Sequence, residues 1–431
     1  MSNRATTVVT MLGKPKKRQL NSVGKKMFCN KKIICLICSS VRSLWKALAF
    51  LMLVSIGYNE FLINLLQSLK WSNINCQSSN CTRILFVADS QILGDTNDYS
   101  WISAVANFDS DWHLKKTFAH AFAHARPDVI CFLGDIFDEG SSADDTQYQR
   151  YYERFREIFQ MTVDDKTDSP QVIIVPGDSD IGQFGGNSPK VNRFRKMFYE
   201  KEMWLGKGNI IFYNINRITH EMPSYDSDNK HDNYTRIFLS HLPILESDEK
   251  FSKKVNIKDN KLTKSFRKRN RIKSKQFAAK ALETFKPHLI FSGHHHQSLI
   301  MKTKLKRLHS PEIPNSLNND KKTAYAMNKF NIDDIFENNE VLEIYIPTCS
   351  YRMGEMDIGF GYAVLDNQNL FYTVLWTTQR FYQLSFYLFL LFIVVFYILV
   401  IKIPDMIVYI GNRLIGRESY KNDRPYRYLP L

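Results

Sequence analysis

Five short segments that contain Asp or His follow one another along the chain, and each comes directly after a short apolar run. They are Asp89-Ser90-Gln91, Gly134-Asp135-Ile136-Phe137-Asp138, Gly177-Asp178-Ser179-Asp180, Ser240-His241 and Gly293-His294-His295-His296. The runs are rich in β-branched and aromatic residues, which is typical of buried strands. Side chains that follow such strands gather at the carboxyl edge of an open α/β sheet. The pattern therefore requires a fold in which strands far apart in sequence end at one place.

Apolar runs and helical patterns alternate along the chain. Strands are predicted at residues 84–88, 129–133, 172–175, 210–215, 237–239, 289–291, 341–346 and 362–365, and helical periodicity occupies residues 112–125 and 147–159. This alternation predicts the α/β class, with two packed sheets between helices. A polar, poorly patterned region at residues 315–333 predicts a loop.

Two apolar stretches predict membrane-spanning helices. Residues 384–401 read LSFYLFLLFIVVFYILVI, carry no charge and are long enough to cross a bilayer. Residues 44–66 form a weaker stretch, which we interpret as a signal anchor. The alternative is a cleaved signal peptide, but the basic region before this stretch is longer than such peptides usually have.

Basic residues outside both stretches predict the membrane topology. No acidic residue precedes Glu60, and Lys and Arg recur after residue 401. The positive-inside rule then places both termini in the cytoplasm and the domain between the helices in the lumen. The predicted plan is a basic cytoplasmic tail (1–43), a signal anchor (44–66), a lumenal domain (83–375), a second membrane helix (384–403) and a cytoplasmic tail (404–431).

The net charge of +15 lies mostly in segments that look peripheral, so no nucleic-acid partner is predicted. The basic stretch at about residues 250–280 is interpreted as a solvated insertion, with an anionic-ligand patch as the alternative. Asn80 and Asn233 begin sequons and are predicted glycan acceptors in a lumenal domain. Cys76 and Cys81 could close a small loop, whereas Cys131 and Cys349 lie in apolar contexts that predict buried thiols.

The Asp and His residues at the strand ends suit divalent cations, which oxygen and imidazole ligands bind. His294 and His296 alternate around His295, so an extended turn would direct them to one side and His295 to the other. Two cations held close together can drive phosphoester hydrolysis. By contrast, His120 and His124 lie at helical spacing without the glutamate of a zincin motif, and we interpret them as ordinary helix residues.

The series resembles the calcineurin-like metallophosphoesterases, whose pattern is Asp-x-His, Gly-Asp-x-x-Asp, Gly-Asn-His-Asp/Glu, a lone His and Gly-His-x-His. A membrane-anchored subfamily that remodels GPI anchors is the more specific resemblance. It is carried by the two flanking apolar stretches and by the segments at residues 133–140, 191–194, 240–243 and 347–354.

The resemblance implies a four-layer sandwich of two mixed sheets flanked by helices, and two divalent metal ions. One ion would be bound by Asp89 and His296, both would be bridged by Asp135, and the other would be bound by Asp178, His241 and His294. Manganese, iron and zinc are all compatible with these ligands, and the lumenal location and the resemblance favour manganese. Ser179 and Asp180 stand at the family's catalytic positions.

Three residues depart from the family pattern: Gln91 replaces a His, Asp178 replaces an Asn and Ser179 replaces a His. In the family, the His at position 179 protonates the leaving group, and a Ser hydroxyl is a poor acid at neutral pH. The leading hypothesis is a phosphodiesterase in the early secretory pathway (ER, ER-Golgi intermediate compartment and cis-Golgi) that removes an ethanolamine-phosphate side branch from the second mannose of the GPI glycan. Such an enzyme would promote ER-to-Golgi transport of GPI-anchored proteins, with cargo-export receptors as possible partners.

The alternative hypothesis is a catalytically weakened, metal-binding homologue that acts as an export adaptor for GPI-anchored cargo. A protein phosphatase is disfavoured by the lumenal topology.

Overall fold

The computed structural model describes residues 45–95, 101–160, 169–182, 188–224, 233–245, 261–304, 326–404, 406–411 and 413. Two compact units are distinguished, one formed by Glu60–Gln383 and the other by the chain on either side of it, and each is described by itself. The larger unit holds twelve strands within the described residues: β1 (Thr82–Val87), β2 (Val129–Leu133), β3 (Gln171–Val175), β4 (Met203–Gly206), β5 (Ile210–Asn214), β6 (Thr235–Ser240), β7 (Leu289–Ser292), β8 (Leu299–Lys304), β9 (Asn328–Asn331), β10 (Glu340–Tyr345), β11 (Gly359–Asp366) and β12 (Asn369–Trp376).

Eight helices are named here among the described residues. They are α1 (Trp45–Ser68), α2 (Trp101–Ala125), α3 (Asp145–Ile158), α4 (Asp178–Ile181), α5 (Pro189–Phe198), α6 (Lys261–Phe285), α7 (Ile332–Glu337) and α8 (Arg380–Tyr397), with π-helical turns at Tyr58–Leu62 and Ile398–Lys402. All eight predicted strands and both predicted helical segments coincide with elements of this list, with ends that differ by a few residues.

The strands form two six-stranded mixed sheets. The first has the order β3-β2-β1-β11-β12-β9, and the second has the order β4-β5-β6-β7-β10-β8. Neighbours β1, β2 and β3 are parallel, as are β5, β6, β7 and β10. The remaining neighbours in both sheets are antiparallel.

The two sheets pack face to face through alternate residues of their strands. Ile84, Phe86 and Ala88 point into this interface, and the ring of Phe86 stacks on that of Phe291 with centroids 4.1 Å apart. Leu85 and Val87 point to the other face, where they join a second apolar cluster with α2, α3 and α5. Because successive side chains of β1 point to opposite faces of the sheet, this strand contributes both to the core between the sheets and to the core under the helices.

Helices cover the outer faces of both sheets. On the second sheet, Phe277, Ala281 and Phe285 of α6 pack on Ile211 and Phe238. The order helix, sheet, sheet, helix is the predicted four-layer sandwich, and the fold class is confirmed.

Two helices, at Trp45–Ser68 and Arg380–Val400, are long and apolar enough to cross a membrane. Within the larger unit, the chain next to them is held by polar contacts. The indole Nε1 of Trp71 donates to the carbonyl of Trp376 at 2.9 Å, and Arg380 forms ion pairs with Glu60 and Asp109. The division of the chain into cytoplasmic and lumenal segments stays a prediction, and residues 1–44 and 414–431 lie outside the described residues.

Two predictions need correction. The basic stretch at about residues 250–280 is not only a solvated insertion, because residues 261–285 form α6 and its last turns lie in the core. Residues 246–260 lie outside the described residues. The loop predicted at 315–333 contains β9 and the start of α7, whose N-cap is the side chain of Asn331. The polar composition of these segments predicted no regular structure, because α6 and β9 each expose one face to solvent.

The cysteine predictions agree with the structure. Cys76 and Cys81 form a disulfide, and Cys131 and Cys349 are buried free thiols.

Candidate metal centre

All five ligand-bearing segments follow strands at the same edge of the sandwich. In the first sheet, Phe86, Cys131 and Ile173 stand side by side on the parallel strands β1, β2 and β3. In the second sheet, Ser240 of β6 stands beside Ser292 of β7. Asp89, Asp135 and Asp178 therefore emerge next to one another from the first sheet, and His241 and His294 emerge from the second.

Two glycines let the turns after β2 and β3 approach each other closely. A Cβ on Gly177 would lie 2.1 Å from the backbone nitrogen of Asp135, and one on Gly134 would lie 2.6 Å from the backbone nitrogen of Gly177. Gly134 also has φ of +83°, which side chains with a Cβ rarely adopt. Glycine at both positions is thus a condition for bringing Asp135 and Asp178 together.

Four predicted ligands are themselves in the left-handed region of backbone space. The φ angles are +51° at Asp89, +49° at Asp135, +68° at His294 and +61° at His296. For residues other than glycine this conformation costs on the order of 1–3 kcal/mol, and such strain clusters at functional sites. The surrounding fold therefore imposes these turns on the chain.

Four of the six predicted ligands form one compact group. Asp135, Asp178, His241 and His294 each offer a ligand atom, and these atoms all lie within 4.8 Å of one another. Oδ1 of Asp178 is 3.1 Å from Nε2 of His241 and 3.3 Å from Nδ1 of His294. Oδ1 of Asp135 is 3.4 Å from the same Nε2 of His241.

The other two predicted ligands, Asp89 and His296, form a pair beside this group. Oδ1 of Asp89 lies 3.5 Å from Nε2 of His296, and Oδ2 accepts a hydrogen bond from the backbone N–H of His294 at 3.0 Å. Asp89 is fully buried, and its Oδ1 has no hydrogen-bond partner among the residues that the structure describes. A buried carboxylate oxygen without a donor is costly unless a cation approaches it.

The orientation of His241 is set by the backbone of the first sheet. Its Nδ1 lies 2.8 Å from the carbonyl oxygen of Leu133, which can only accept, so Nδ1 carries the proton. Nε2 is then directed at Asp135 and Asp178, as in metal sites where the second ring nitrogen is held by a carbonyl. His295 turns away and stacks on Tyr345 with ring centroids 5.1 Å apart, as the alternation of the three histidines predicts.

The protonation of the group follows from burial and from the opposed charges. Burial raises the pKa of Asp135 well above its usual value, and the charge of Asp178 adds to this although His241 opposes it. Burial also disfavours ionised Asp178, but hydrogen bonds from His241 and His294 outweigh it and hold the Asp178 pKa well below its usual value. Burial lowers the pKa of His241, but the nearby carboxylates, Asp135 first, raise it well above the usual value. Asp135 and His241 therefore hold their protons more tightly than usual, whereas Asp178 releases its proton more readily.

Gln91 and Ser179, two of the residues that depart from the family pattern, both contact Asp135. Nε2 of Gln91 lies 2.9 Å from Oδ2 of Asp135, and Oγ of Ser179 donates to the same oxygen at 3.0 Å. The backbone N–H of Ser179 donates to Oδ1 at 2.8 Å.

Asp180, predicted with Ser179 as catalytic, is fully buried, and its carboxylate contacts backbone. It accepts hydrogen bonds from the N–H groups of Gly177, Phe137 and Ile136 at 2.9, 3.0 and 3.2 Å. Asp180 thus holds the turns that carry Asp135 and Asp178, and the proposed catalytic role of Ser179 and Asp180 stays a prediction. The glycan acceptors Asn80 and Asn233 are both exposed, and their modification also stays a prediction.

Sequence reasoning missed Glu343, a fully buried carboxylate in the middle of β10. It accepts hydrogen bonds from the backbone N–H groups of Ile244 and Leu245 at 2.7 and 2.8 Å and from Oγ of Ser292 at 3.0 Å. These contacts fix the turn after His241 and the strand end before His294. The signal was present in the sequence, because Glu343 is the one charged residue within the apolar run Val341–Ile346.

The residues fit divalent metal ions. Two carboxylates and two imidazoles surround one position, and the unpartnered oxygen of Asp89 faces an imidazole at the other. Mixed oxygen and nitrogen sets of this kind suit manganese, iron and zinc, and the donor types do not separate these metals.

The profile of the calcineurin-like phosphoesterase family matches residues 82–298, which is half of the chain and includes all six predicted ligands. The chain belongs to the calcineurin-like phosphoesterase family. Its strand-end Asp and His residues occupy the centre described above, and this supports a metal-dependent phosphoesterase.

The chain is also similar to proteins named metallophosphoesterase 1. It is 29% identical to the one from Ailuropoda melanoleuca over 181 residues, which are 40% of this chain and 44% of that protein. It is 23% identical to the one from Danio rerio over 324 residues, which are 65% of this chain and 82% of that protein. The match thus spans less than half the length of the first relative. A metallophosphoesterase structure from Sphaerobacter thermophilus is 12% identical, with 68% of this chain and 88% of that chain covered and a TM-score of 0.30.

Proposed function

We propose that this protein is a membrane-anchored phosphodiesterase that removes an ethanolamine-phosphate side branch from the second mannose of the GPI glycan and so promotes ER-to-Golgi transport of GPI-anchored proteins. The observation that carries the phosphoesterase part is the gathering of Asp135, Asp178, His241 and His294 within 4.8 Å. Membership of the family supports it. The GPI substrate rests on the resemblance of the motifs and flanking helices to the GPI-remodelling subfamily.

The chemistry follows from what the side chains of the centre can hold. Divalent cations, manganese in this proposal, would polarise the phosphoryl oxygens and lower the pKa of water. Asp135 would bridge the two ions in this proposal, and the contact of His241 with Leu133 keeps Nε2 of His241 directed at the Asp135 carboxylate. The hydroxyl of Ser179, half-buried beside Asp135, is a group that could exchange a proton with the leaving alkoxide, although a weak one.

The membrane location rests on the two long apolar helices and on the charge of the flanking sequence. In this proposal both helices span the membrane of an early secretory compartment, the termini are cytoplasmic and the catalytic domain is lumenal. A membrane-tethered enzyme stays at the surface where its lipid-anchored substrate lies.

The second candidate is an export adaptor that binds metal and GPI-anchored cargo without efficient turnover. It is favoured by one observation, that Gln91 and Ser179 replace two imidazoles of the family pattern and instead contact Asp135.

The test is made in cells that lack their own enzyme for this step and express either the wild type or Asp135→Asn. Mass spectrometry measures the ethanolamine phosphate on the GPI glycan, and a pulse-chase experiment measures export of a GPI-anchored reporter. The proposal predicts loss of the branch and faster export with the wild type only. Faster export with an unchanged glycan would support the adaptor, and no effect on either would refute both candidates.

A further inference from the structure

The two oxygens of Asp135 have different surroundings. Oδ1 faces His241 at 3.4 Å and belongs to the compact group with Asp178 and His294. Oδ2 is the acceptor of two side-chain hydrogen bonds, from Gln91 at 2.9 Å and from Ser179 at 3.0 Å. Oδ1 also accepts the backbone N–H of Ser179 at 2.8 Å. Oδ1 thus combines one backbone donor with the imidazole of His241, whereas Oδ2 accepts from two side chains.

The first position is complete without Oδ2. Two carboxylates and two imidazoles make four protein ligands, which is the number that structural zinc sites use and one more than catalytic zinc sites use. His241 is fixed by Leu133, and the turns that carry Asp135 and Asp178 are fixed by Asp180. Little rearrangement is needed to bind a cation there, and preorganised ligands raise affinity.

The second position is deficient. It has Oδ1 of Asp89 and Nε2 of His296. Gln91, two residues after Asp89 and at the position where the family pattern has an imidazole, directs its amide at Oδ2 of Asp135. With its NH2 towards Asp135, Gln91 directs a donor, and not its amide oxygen, at this carboxylate. With the amide reversed, it offers a neutral oxygen, which transition-metal ions bind more weakly than imidazole.

We propose that the two metal positions of this chain are unequal: the Asp135, Asp178, His241 and His294 position binds one divalent cation tightly, and the Asp89 and His296 position binds a second one at least about tenfold more weakly because of Gln91. The inference rests on the proposed metal-dependent function. It means that the protein holds one ion permanently and that its activity follows the free concentration of the second ion.

The test uses the full-length protein in detergent after removal of metal with a chelator. Manganese is added back, binding is measured by calorimetry, and electron paramagnetic resonance reports whether two bound ions are magnetically coupled. The wild type is expected to bind one equivalent tightly and a second at least about tenfold more weakly. At one equivalent its spectrum should show uncoupled manganese.

Gln91→His restores an imidazole and is expected to tighten the second equivalent by about 10-fold to 100-fold, with a coupled spectrum at two equivalents. Ser179→Ala removes one donor from Oδ2 of Asp135 without changing the backbone, and should tighten the second equivalent by a few-fold. Gln149→His, on the exposed face of α3, is the control and should match the wild type.

Two equal, tight equivalents in the wild type would overturn the inference and leave the proposed function standing. So would a second equivalent that neither Gln91→His nor Ser179→Ala tightens in protein whose thermal unfolding is unchanged. Failure of the wild type to bind any manganese, iron or zinc would refute the proposed function itself.

Discussion

Nε2 of His241 and Nδ1 of His294 face each other at 3.1 Å, and Oδ1 of Asp178 lies within hydrogen-bond range of the first and 3.3 Å from the second. Two ring nitrogens this close need a proton or a cation between them, and the carboxylate supplies the compensating charge. The arrangement explains why a strand-end Asp from one sheet and two His from the other are found together.

Asp178→Asn removes that charge and keeps the shape of the side chain. We expect the affinity for the tightly bound manganese to fall at least about tenfold, since loss of even an indirect partner costs 10–100-fold in other metal sites. Competition with a fluorescent chelator measures it. Asp145→Asn, at a carboxylate whose side chain is 94% exposed, should leave the affinity unchanged. An unchanged affinity in Asp178→Asn would show that the charge of Asp178 does not contribute to metal binding.

Ser179→His places an imidazole beside Asp135, where the family pattern has one. Because a positioned general acid contributes about 100-fold to 10,000-fold, we expect kcat for a phosphodiester with a poor leaving group to rise by about tenfold or more. The gain should be much smaller for a nitrophenolate leaving group, which needs no protonation. Equal effects on both substrates would show that residue 179 does not protonate the leaving group.

Glu343→Gln tests the role of the buried carboxylate in β10. One amide oxygen cannot accept all three hydrogen bonds, so at least one buried donor loses its partner, at about 1–3 kcal/mol in the free energy of unfolding. Because those donors lie next to His241 and His294, metal affinity should fall in the same variant. Glu340→Gln, in the same strand but paired with Lys302 near the surface, is the matched control. A variant that loses stability but binds metal normally would restrict Glu343 to a purely structural role.

His288 should make the domain sensitive to acid. Its Nδ1 accepts the backbone N–H of Arg236 at 3.0 Å, and burial together with the charge of Arg236 lowers the pKa of His288 from 6.5 to about 4. The unfolded chain therefore binds a proton at His288 more readily than the folded domain does. The neutral His288 stabilises the domain fully above pH 6.5, and this stabilisation is lost as the pH falls from 6.5 towards 4.

His288→Asn retains an acceptor that does not titrate. Thermal unfolding at pH 8 and pH 5 should show a smaller acid-induced loss in the variant, by up to about 2 kcal/mol in the free energy of unfolding. Parallel curves for the two proteins would contradict the assigned environment of His288.

Much of the fold could be predicted from sequence because apolar runs and polar strand ends recur with little ambiguity. Strands β1, β2 and β7, which precede Asp89, Asp135 and His294, are buried on both faces, so their composition alone identifies them. Strands β4, β8 and β9 are edge or near-surface strands with mixed composition, and local pattern does not distinguish them from loops. The prediction of a solvated insertion is wrong for α6 because the many basic residues of its N-terminal half outweigh, in local composition, the apolar face formed by Phe277, Ala281 and Phe285.

The convergence of the six candidate ligands at one sheet edge could be predicted, and four of them form one compact group, but their hydrogen-bond partners could not be predicted. The contact of Gln91 and Ser179 with a single oxygen of Asp135 depends on turns with positive φ, as at Gln91 and Asp135, which the sequence does not reveal. The backbone contacts of Asp180 likewise appear only once β2 and β3 are adjacent.

The most direct test of metal-dependent phosphoester hydrolysis compares the wild type with Asp135→Asn on bis(p-nitrophenyl) phosphate, after metal removal and with manganese added back. The wild type should be inactive after chelation and recover with manganese. Asp135→Asn, once its thermal unfolding curve shows that it is folded, should lose at least about 100-fold in kcat/KM, or about 2.7 kcal/mol. Equal rates for the two proteins, or a wild-type rate that does not respond to manganese, would contradict the account.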